Sequence, residues 1–272
     1  EILPHWEFPL SEHSVDLTLF KKEDQESSAQ NLAQQEAITP FDLSAGPLIR
    51  IKVLILGKEE HILLITLHHI ISDGWSMEIL FRELSSLYNS YEEDKEPSLS
   101  PLPIQYADFA LWQRKWLQGD VLEQQLSYWK NQLGGIPDLL ELPTDKPRPK
   151  ELTYKGAAYD LTLSIEIKDQ LNHLAQQHQA SLFMTLLAIF QILLYRYTGQ
   201  KDVVVGSPMA NRHDKQTEGL IGFFVNTVAL RTTFEGNETF VDILNKVKET
   251  TLQAYQHQDV PFEQLVDHLN VT

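Results

Sequence analysis

Short apolar runs of period two alternate along this chain with longer stretches of period near 3.6, the pattern of a mixed α+β protein. Val15, Leu17 and Leu19 fall on alternate positions, as along a strand. Residues 27–38 are polar and predict a surface helix. Residues 48–56 predict a strand, Gly57 and Lys58 a turn, and residues 61–69 the hairpin partner. Residues 61–67 are apolar on both faces, as in a strand buried inside a sheet. Leu80, Leu84, Leu87, Tyr88 and Tyr91 then recur at helical spacing and predict a helix over about residues 75–91. A charged, proline-containing loop follows over 92–103. Residues 106–133 read as one helix, with Phe109, Trp112, Trp116, Leu122, Leu126 and Trp129 available for packing.

The pattern lapses over 134–156, where two adjacent glycines and four prolines leave no lasting period. The boundary between two domains, 1–150 and 151–272, is placed there. In the second, residues 158–163 predict a strand. Ile167, Leu171, Leu174 and Ala175 share a helix face, and residues 181–197 form a buried helix interrupted by Gln191. Strands over 202–206 and 223–232 and an amphipathic helix over 240–255 follow. Pro261 starts a short final helix, which is still unfinished at Thr272.

Where the strand of residues 61–69 gives way to its helix the chain reads His68-His69-Ile70-Ile71-Ser72-Asp73-Gly74. Strand alternation would place His69 on the face of Leu63, Ile65 and Leu67 and His68 on the other. An imidazole at a strand end can face a cavity and serve as a general base. It can equally be a hydrogen-bonded structural histidine, and Asp73-Gly74 an ordinary helix cap and turn. A metal site is disfavoured, because adjacent strand residues diverge. Asn226, Thr227 and Trp112 read as packing residues. Neither a Gly-x-Ser-x-Gly elbow nor a Gly-x-x-x-x-Gly-Lys phosphate loop occurs.

Composition narrows the classes. The 272 residues are 42% hydrophobic and 22% charged, ordinary for a soluble globular chain with ample core. There is no cysteine, hence neither disulfide nor thiolate nucleophile. A net charge of −16 disfavours nucleic acid and anionic membrane as partners. The longest apolar stretch, residues 182–195, falls short of the roughly 20 needed to span a bilayer. No signal-peptide pattern opens the chain, and a cytoplasmic setting is expected.

Five segments resemble, in order, the signatures of the condensation domains of non-ribosomal peptide synthetases. They are Pro40-Phe41-Asp42-Leu43 with Gly46-Pro47-Leu48 and Arg50; the run from His68 to Ser76; and Tyr106-Ala107-Asp108-Phe109-Ala110-Leu111-Trp112-Gln113. Next come Ile221-Gly222-Phe223-Phe224-Val225-Asn226-Thr227, against the pattern Ile-Gly-x-Phe-Val-Asn-Thr, and His257-Gln258-Asp259-Val260-Pro261-Phe262-Glu263. The family's opening Ser-x-x-Gln and Arg-His-Glu segments and its closing Arg-Asp-x-Ser-Arg-Asn segment are absent, so an internal fragment truncated in both lobes is expected.

The resemblance implies two lobes of the chloramphenicol-acetyltransferase type in a V, with the active site on a channel between them. It implies amide formation between a donor acyl or peptidyl thioester and an aminoacyl acceptor, both tethered to phosphopantetheine. Partners would be an upstream donor and a downstream acceptor carrier domain and an adjacent adenylation domain, with no cofactor held by this domain. His69 would accept the amine proton or hold the amine in line. Asp73 would be structural and pair with an arginine, for which Arg212 in Met209-Ala210-Asn211-Arg212-His213 is the candidate across the junction. Gly74 would keep the channel open and the turn relaxed. Trp112, Asn226 and Thr227 would serve packing and lobe alignment. Cyclising relatives carry an Asp-containing motif and epimerising ones a Trp after the Ser, so the donor and acceptor are expected to be L. Arg114, Lys115, Lys146, Arg148 and Lys150 are candidate carrier contacts. A noncatalytic recruitment module of the same fold and a free-standing acyltransferase using coenzyme A are the alternatives.

Overall fold

A computed structural model describes residues 13–147, 149, 153 and 156–269. Internal contacts divide the chain into Glu1–Tyr106 with Asp214–Phe224, and Ala107–His213 with Val225–Thr272. The class is mixed helix and sheet, as expected from the alternating periods.

In the first unit, β1 (Ser14–Asp16) runs parallel to β2 (Ile49–Ile55), which pairs antiparallel with β3 (His61–Leu67). The polar α1 (Lys22–Ile38) lies against this sheet around Leu17, Ala29 and Leu54. It begins five residues before the expected start, with Glu23 and Asp24 favourably placed in the first turn. The expected strand through Leu19 ends at Asp16. Leu17 is buried and its N–H bonds Ile55 O at 2.9 Å, but Leu19 is turned outward. Nor is β3 buried on both faces: it is the last strand of its sheet among the described residues, and Ile62 and Leu63 are exposed. Apolarity on both faces therefore does not translate into cover on both faces. After β3 comes a single 3₁₀ turn, His69–Ile71, and then α2 (Gly74–Glu92).

The helix expected over 106–133 is two helices, α3 (Tyr106–Trp116) and α4 (Gly119–Leu133). The break lies at Gly119, whose φ of 54° belongs to the left-handed region that glycine reaches at little cost. Trp129 and Leu133 of α4 are buried in the core of the second unit, whereas Trp112 and Trp116 stack on each other at 5.2 Å on an exposed face. That core gathers α6 (Leu182–Thr198), β4 (Asp202–Met209), β5 (Asn226–Thr233), α7 (Phe240–Gln256) and α8 (Phe262–Leu269). β4 and β5 pair antiparallel from Asp202↔Thr233 to Met209↔Asn226.

The contact-defined division thus departs from the 1–150 and 151–272 split. α4 precedes the proline-rich stretch yet packs with the chain that follows it. Arg231 on β5 fixes this arrangement. Its Nε and Nη2 grip the Asp202 carboxylate at 2.8 and 2.6 Å, while Nη1 donates to Gln132 O and Gly134 O at the end of α4.

No strand forms over 158–163. Residues 156–164 are irregular, and Tyr159 and Leu161 are exposed. α5 (Ile165–Gln177) starts at the Ser164 cap. Only one face of α6 is buried, with Met184, Leu187, Ala188 and Leu194, while Phe190, Leu193 and Tyr197 lie exposed. Gln191, which interrupts the apolar run, is fully buried. Its Nε2 donates to Leu230 O at 2.9 Å and its Oε1 accepts from Thr232 Oγ1 at 2.8 Å, which ties α6 to β5. The strand expected from residue 223 begins at Asn226. Among the described residues no single helix is long and apolar enough to cross a membrane.

Candidate active site

The two histidines sit where β3 ends. The strand stops at Leu67, one residue before the pair, so alternation along a strand does not set their directions. His68 is the N-cap of the 3₁₀ turn: its Nδ1 accepts from Ile70 N at 3.0 Å. A neutral ring accepting there carries its proton on Nε2, so His68 is committed to the backbone. The Phe41 ring meets it edge to face at 5.9 Å. Phe41 in turn carries the Arg50 guanidinium 3.8 Å above its centroid.

Arg50 is anchored on α1. Its Nε bonds Glu36 Oε1, and its Nη2 donates to Glu36 O at 3.0 Å and Thr39 O at 2.8 Å. Lys52 Nζ reaches Glu36 Oε2 at 3.0 Å. Burial alone would raise the Glu36 carboxyl, but the bonds from Arg50 and Lys52 outweigh it and hold the group below the ordinary range.

His69 opens the 3₁₀ turn and is exposed, with its ring edge to face with Phe223 at 5.3 Å. Of the two imidazoles, it is the one that no described backbone group engages.

Asp73 is 5% exposed and caps α2. Its Oδ1 accepts from Ser76 N at 2.8 Å and lies 2.7 Å from Ser76 Oγ, while its Oδ2 accepts from Phe224 N at 3.0 Å. Ser76 Oγ accepts from Gly222 N at 3.0 Å and lies 2.9 Å from Gly222 O. The motif aspartate and serine therefore hold the segment around Gly222–Phe224 on the first turn of α2, and Trp75 Nε1 extends the seam to Glu218 O at 3.0 Å. Tyr106 adds a further tie: its hydroxyl donates to Phe223 O at 2.7 Å and its ring meets Phe224 edge-on at 5.1 Å. The parts of Ser76, Tyr106, Gly222 and Phe223 lie beyond the sequence reading. For Ser76 a signal exists, since Asp-x-x-Ser before an amphipathic run is a capping pattern.

Among the described residues, nothing lies within 4 Å of where a β-carbon on Gly74 would be, and its φ is not left-handed, so its backbone conformation does not itself require glycine. Among the described residues no group of three or more His, Asp or Glu is placed to hold a metal ion.

Trp112, Asn226, Thr227 and Arg212 belong to the second unit. Trp112 is 53% exposed and packs along its own helix, beside Phe109 at 5.8 Å and on Trp116. Arg212 is half-buried. Asn226 is a buried clamp. Its Nδ2 donates to Gln258 O at 2.7 Å and Val260 O at 2.8 Å, and its Oδ1 accepts from Thr227 N and Phe262 N. It fastens the loop from His257 to Glu263 to the start of β5. Trp129 Nε1 donates to His257 O at 2.6 Å, Tyr128 stacks on the His257 ring, and Gln125 donates to Asp259. Burial pushes the Asp259 carboxyl up. Thr227 pairs with Pro208 and packs its methyl toward Gly206. Arg114, Lys115 and Lys146 are exposed; Arg148 and Lys150 lie outside the described residues.

An exposed imidazole thus sits on a short turn beside a buried, helix-capping aspartate in a mixed α and β fold. The condensation-domain model matches residues 4–272, and the chain belongs to that family. Among curated relatives it is 52% identical over 257 residues to one of the proteins that make up the linear gramicidin synthase of Brevibacillus parabrevis, covering 94% of this chain and 3% of that one. It is 41% identical over 259 residues to phosphinothricin tripeptide synthetase of Streptomyces viridochromogenes, covering 95% of this chain and 24% of that one. The chain thus spans only a small part of the relatives it matches. Among solved structures, the X-domain from teicoplanin biosynthesis superposes with a TM-score of 0.84 at 29% identity, over 94% of this chain and 57% of that one. The first condensation domain of the calcium-dependent antibiotic synthetase gives 0.70 at 23% identity, over 94% and 58%, a likeness of fold.

Proposed function

We propose that this chain works as the condensation domain of a non-ribosomal peptide synthetase. It joins a donor acyl or peptidyl thioester to an aminoacyl acceptor, both presented on the phosphopantetheine arms of carrier domains. The observation that carries the reading is His69: an exposed imidazole on an intact motif turn, in a chain of this family.

The acceptor's amine attacks the donor's thioester carbonyl, the C–N bond forms, and the nitrogen becomes cationic. His69 takes the proton from that nitrogen. Collapse of the intermediate breaks the C–S bond, and the proton leaves with the thiolate as a free thiol. An α-amine with a pKa of about 7.7–8 is partly unprotonated near neutral pH. His69 is therefore asked to remove the later proton and to hold the nitrogen in line. General-base help of this kind is worth about 10²–10⁴-fold.

The same reading includes two chloramphenicol-acetyltransferase-like lobes in a V, L-configured donor and acceptor, flanking carrier and adenylation domains, and a cytoplasmic setting. It keeps Arg212 as the cationic partner of Asp73, since a carboxylate buried to this degree is stable when paired. Gly74, with open space before it, keeps the substrate path clear. Trp112, Asn226 and Thr227 act through packing.

The test is a single-turnover assay with loaded donor and acceptor carriers, alongside thermal melts. We expect His69→Ala to lose about 10²–10⁴-fold in amide formation with an unchanged melt, and His68→Ala to lower the melting temperature. Near-wild-type turnover of His69→Ala would overturn catalysis by this residue. It would favour a noncatalytic recruitment module; the X-domain from teicoplanin biosynthesis, which this chain resembles at a TM-score of 0.84, is solved in a complex with OxyB.

A further inference from the structure

We propose that Phe223 is the positioning residue of His69. The inference rests on the catalytic reading of His69 and names what orients it.

His69 opens a one-turn 3₁₀ segment on an exposed surface. Among the described residues, none fixes its ring by a hydrogen bond in the way that Ile70 N fixes Nδ1 of His68. Such a ring would sample several rotamers unless a neighbour excluded some of them. The neighbour is Phe223, perpendicular to it at 89° with centroids 5.3 Å apart, the edge-to-face geometry that aromatic pairs prefer.

Phe223 is well placed to act as a fixed wall. The peptide groups on both sides of it are pinned. Gly222 N and O engage Ser76 Oγ, and Phe224 N engages Asp73 Oδ2. Its own carbonyl accepts from Tyr106. Asp73 and Ser76 begin the helix that directly follows the histidine turn, so His69 and Phe223 share one anchor. A displacement of the segment relative to His69 would have to break the α2 cap. In the motif Ile-Gly-x-Phe-Val-Asn-Thr, Phe223 occupies the position left open, so the ring on His69 is supplied by this chain and not by the motif.

The arrangement also gives Asp73 a role beyond its cap. Its Oδ1 fixes α2 and its Oδ2 fixes the strip that bears the Phe223 wall. The competing reading is that Phe223 merely fills space, which would affect stability and leave the imidazole's orientation unchanged.

The two readings separate when spectroscopy, which reports the contact, is combined with kinetics, which reports its effect on turnover. In the intact chain, the His69 ring protons should carry a ring-current shift from Phe223, assigned by comparison with His69→Gln. We expect Phe223→Leu to abolish that shift, Phe223→Tyr to keep it, and Phe41→Leu to move the His68 resonances and leave those of His69 in place. In the carrier-loaded assay Phe223→Leu should lower kcat about 10-fold with KM for both carriers unchanged, and Phe223→Tyr should restore it. If the Leu variant fails to fold, Phe223→Met takes its place. His69 resonances indifferent to Phe223 would overturn the proposal, as would full kcat in a folded variant that has lost the shift. Should His69→Ala prove fully active while Phe223→Leu still moves the His69 resonances, the catalytic reading fails and the packing contact stands, but the positioning role falls with the catalysis.

Discussion

The Tyr106 ring lies across Gly222 so closely that a β-carbon there would sit 2.2 Å from Cδ2. That contact cannot be relieved by a small rotation, because the tyrosine hydroxyl is tied to Phe223 O and the glycine's own N–H to Ser76. Gly222→Ala should therefore cost about 1–3 kcal/mol by overpacking. Gly74→Ala should stay within about 0.5 kcal/mol of wild type, since its β-carbon would enter open space. Urea unfolding of both variants makes the comparison. If Gly74 matters for the substrate path, its alanine variant will keep its fold and lose turnover. Gly222 thus answers to a side chain from elsewhere in the chain, whereas a β-carbon on Gly74 would meet no described atom within 4 Å.

Among the elements, β5 and the helix pair around it are held by a few buried polar side chains. Asn226 uses both its donors and its acceptor to hold the loop before α8. Asn226→Ala leaves the Phe262 N–H and two carbonyls short of a partner, at about 1–3 kcal/mol for each group that water cannot reach. We expect a total near ~3 kcal/mol in denaturant unfolding. Asn226→Asp should be at least as damaging, since its carboxylate would face the Gln258 and Val260 carbonyl oxygens. The start of α7 offers a pH test. Glu238 takes a hydrogen bond from Lys246 at 2.7 Å and further ones from the Glu235 and Gly236 amides. These lower its carboxyl from 4.5 to about 2, with the Lys246 bond the largest cause. A depressed carboxylate contributes stability that is complete above pH 4.5 and lost as the pH falls through about 2. Melting temperatures at about pH 6 and about pH 3 should therefore differ less in Glu238→Gln than in wild type, and an equal difference would remove Glu238 from the acid response.

Over the whole chain the charge is −16, and an acidic carrier would be repelled at long range. Docking would then rest on a few placed cations and apolar contacts. Reversing exposed Arg114 and Lys115 to Glu should raise the KM for a loaded carrier several-fold, with kcat on a small thioester mimic unchanged and a weaker effect at higher salt. Unchanged carrier kinetics at both salt concentrations would exclude this pair.

Much of the molecule is legible without coordinates. The ordered motifs point to the family. The 3.6 period marks α2, α7 and the helix of residues 182–198, and alternation marks the β2–β3 hairpin. Local periodicity cannot supply what depends on partners distant in sequence. The strand expected at 158–163 finds no partner among the described residues, and the long helix at 106–133 breaks at a left-handed glycine. α4 joins the second unit because Arg231, about a hundred residues later, grips its end. The site divides the same way. His68, His69, Asp73 and Gly74 are adjacent in sequence and can be read as a motif. Phe223, Gly222 and Tyr106 reach them through bonds such as those from Asp73 to Phe224 and Ser76 to Gly222, which join residues 151 and 146 positions apart. The sequence by itself determined which chemical groups the site holds. Only the tertiary structure decided which of them is exposed, which is braced, and by what, because burial and hydrogen bonding between distant segments leave no periodic trace in either segment alone.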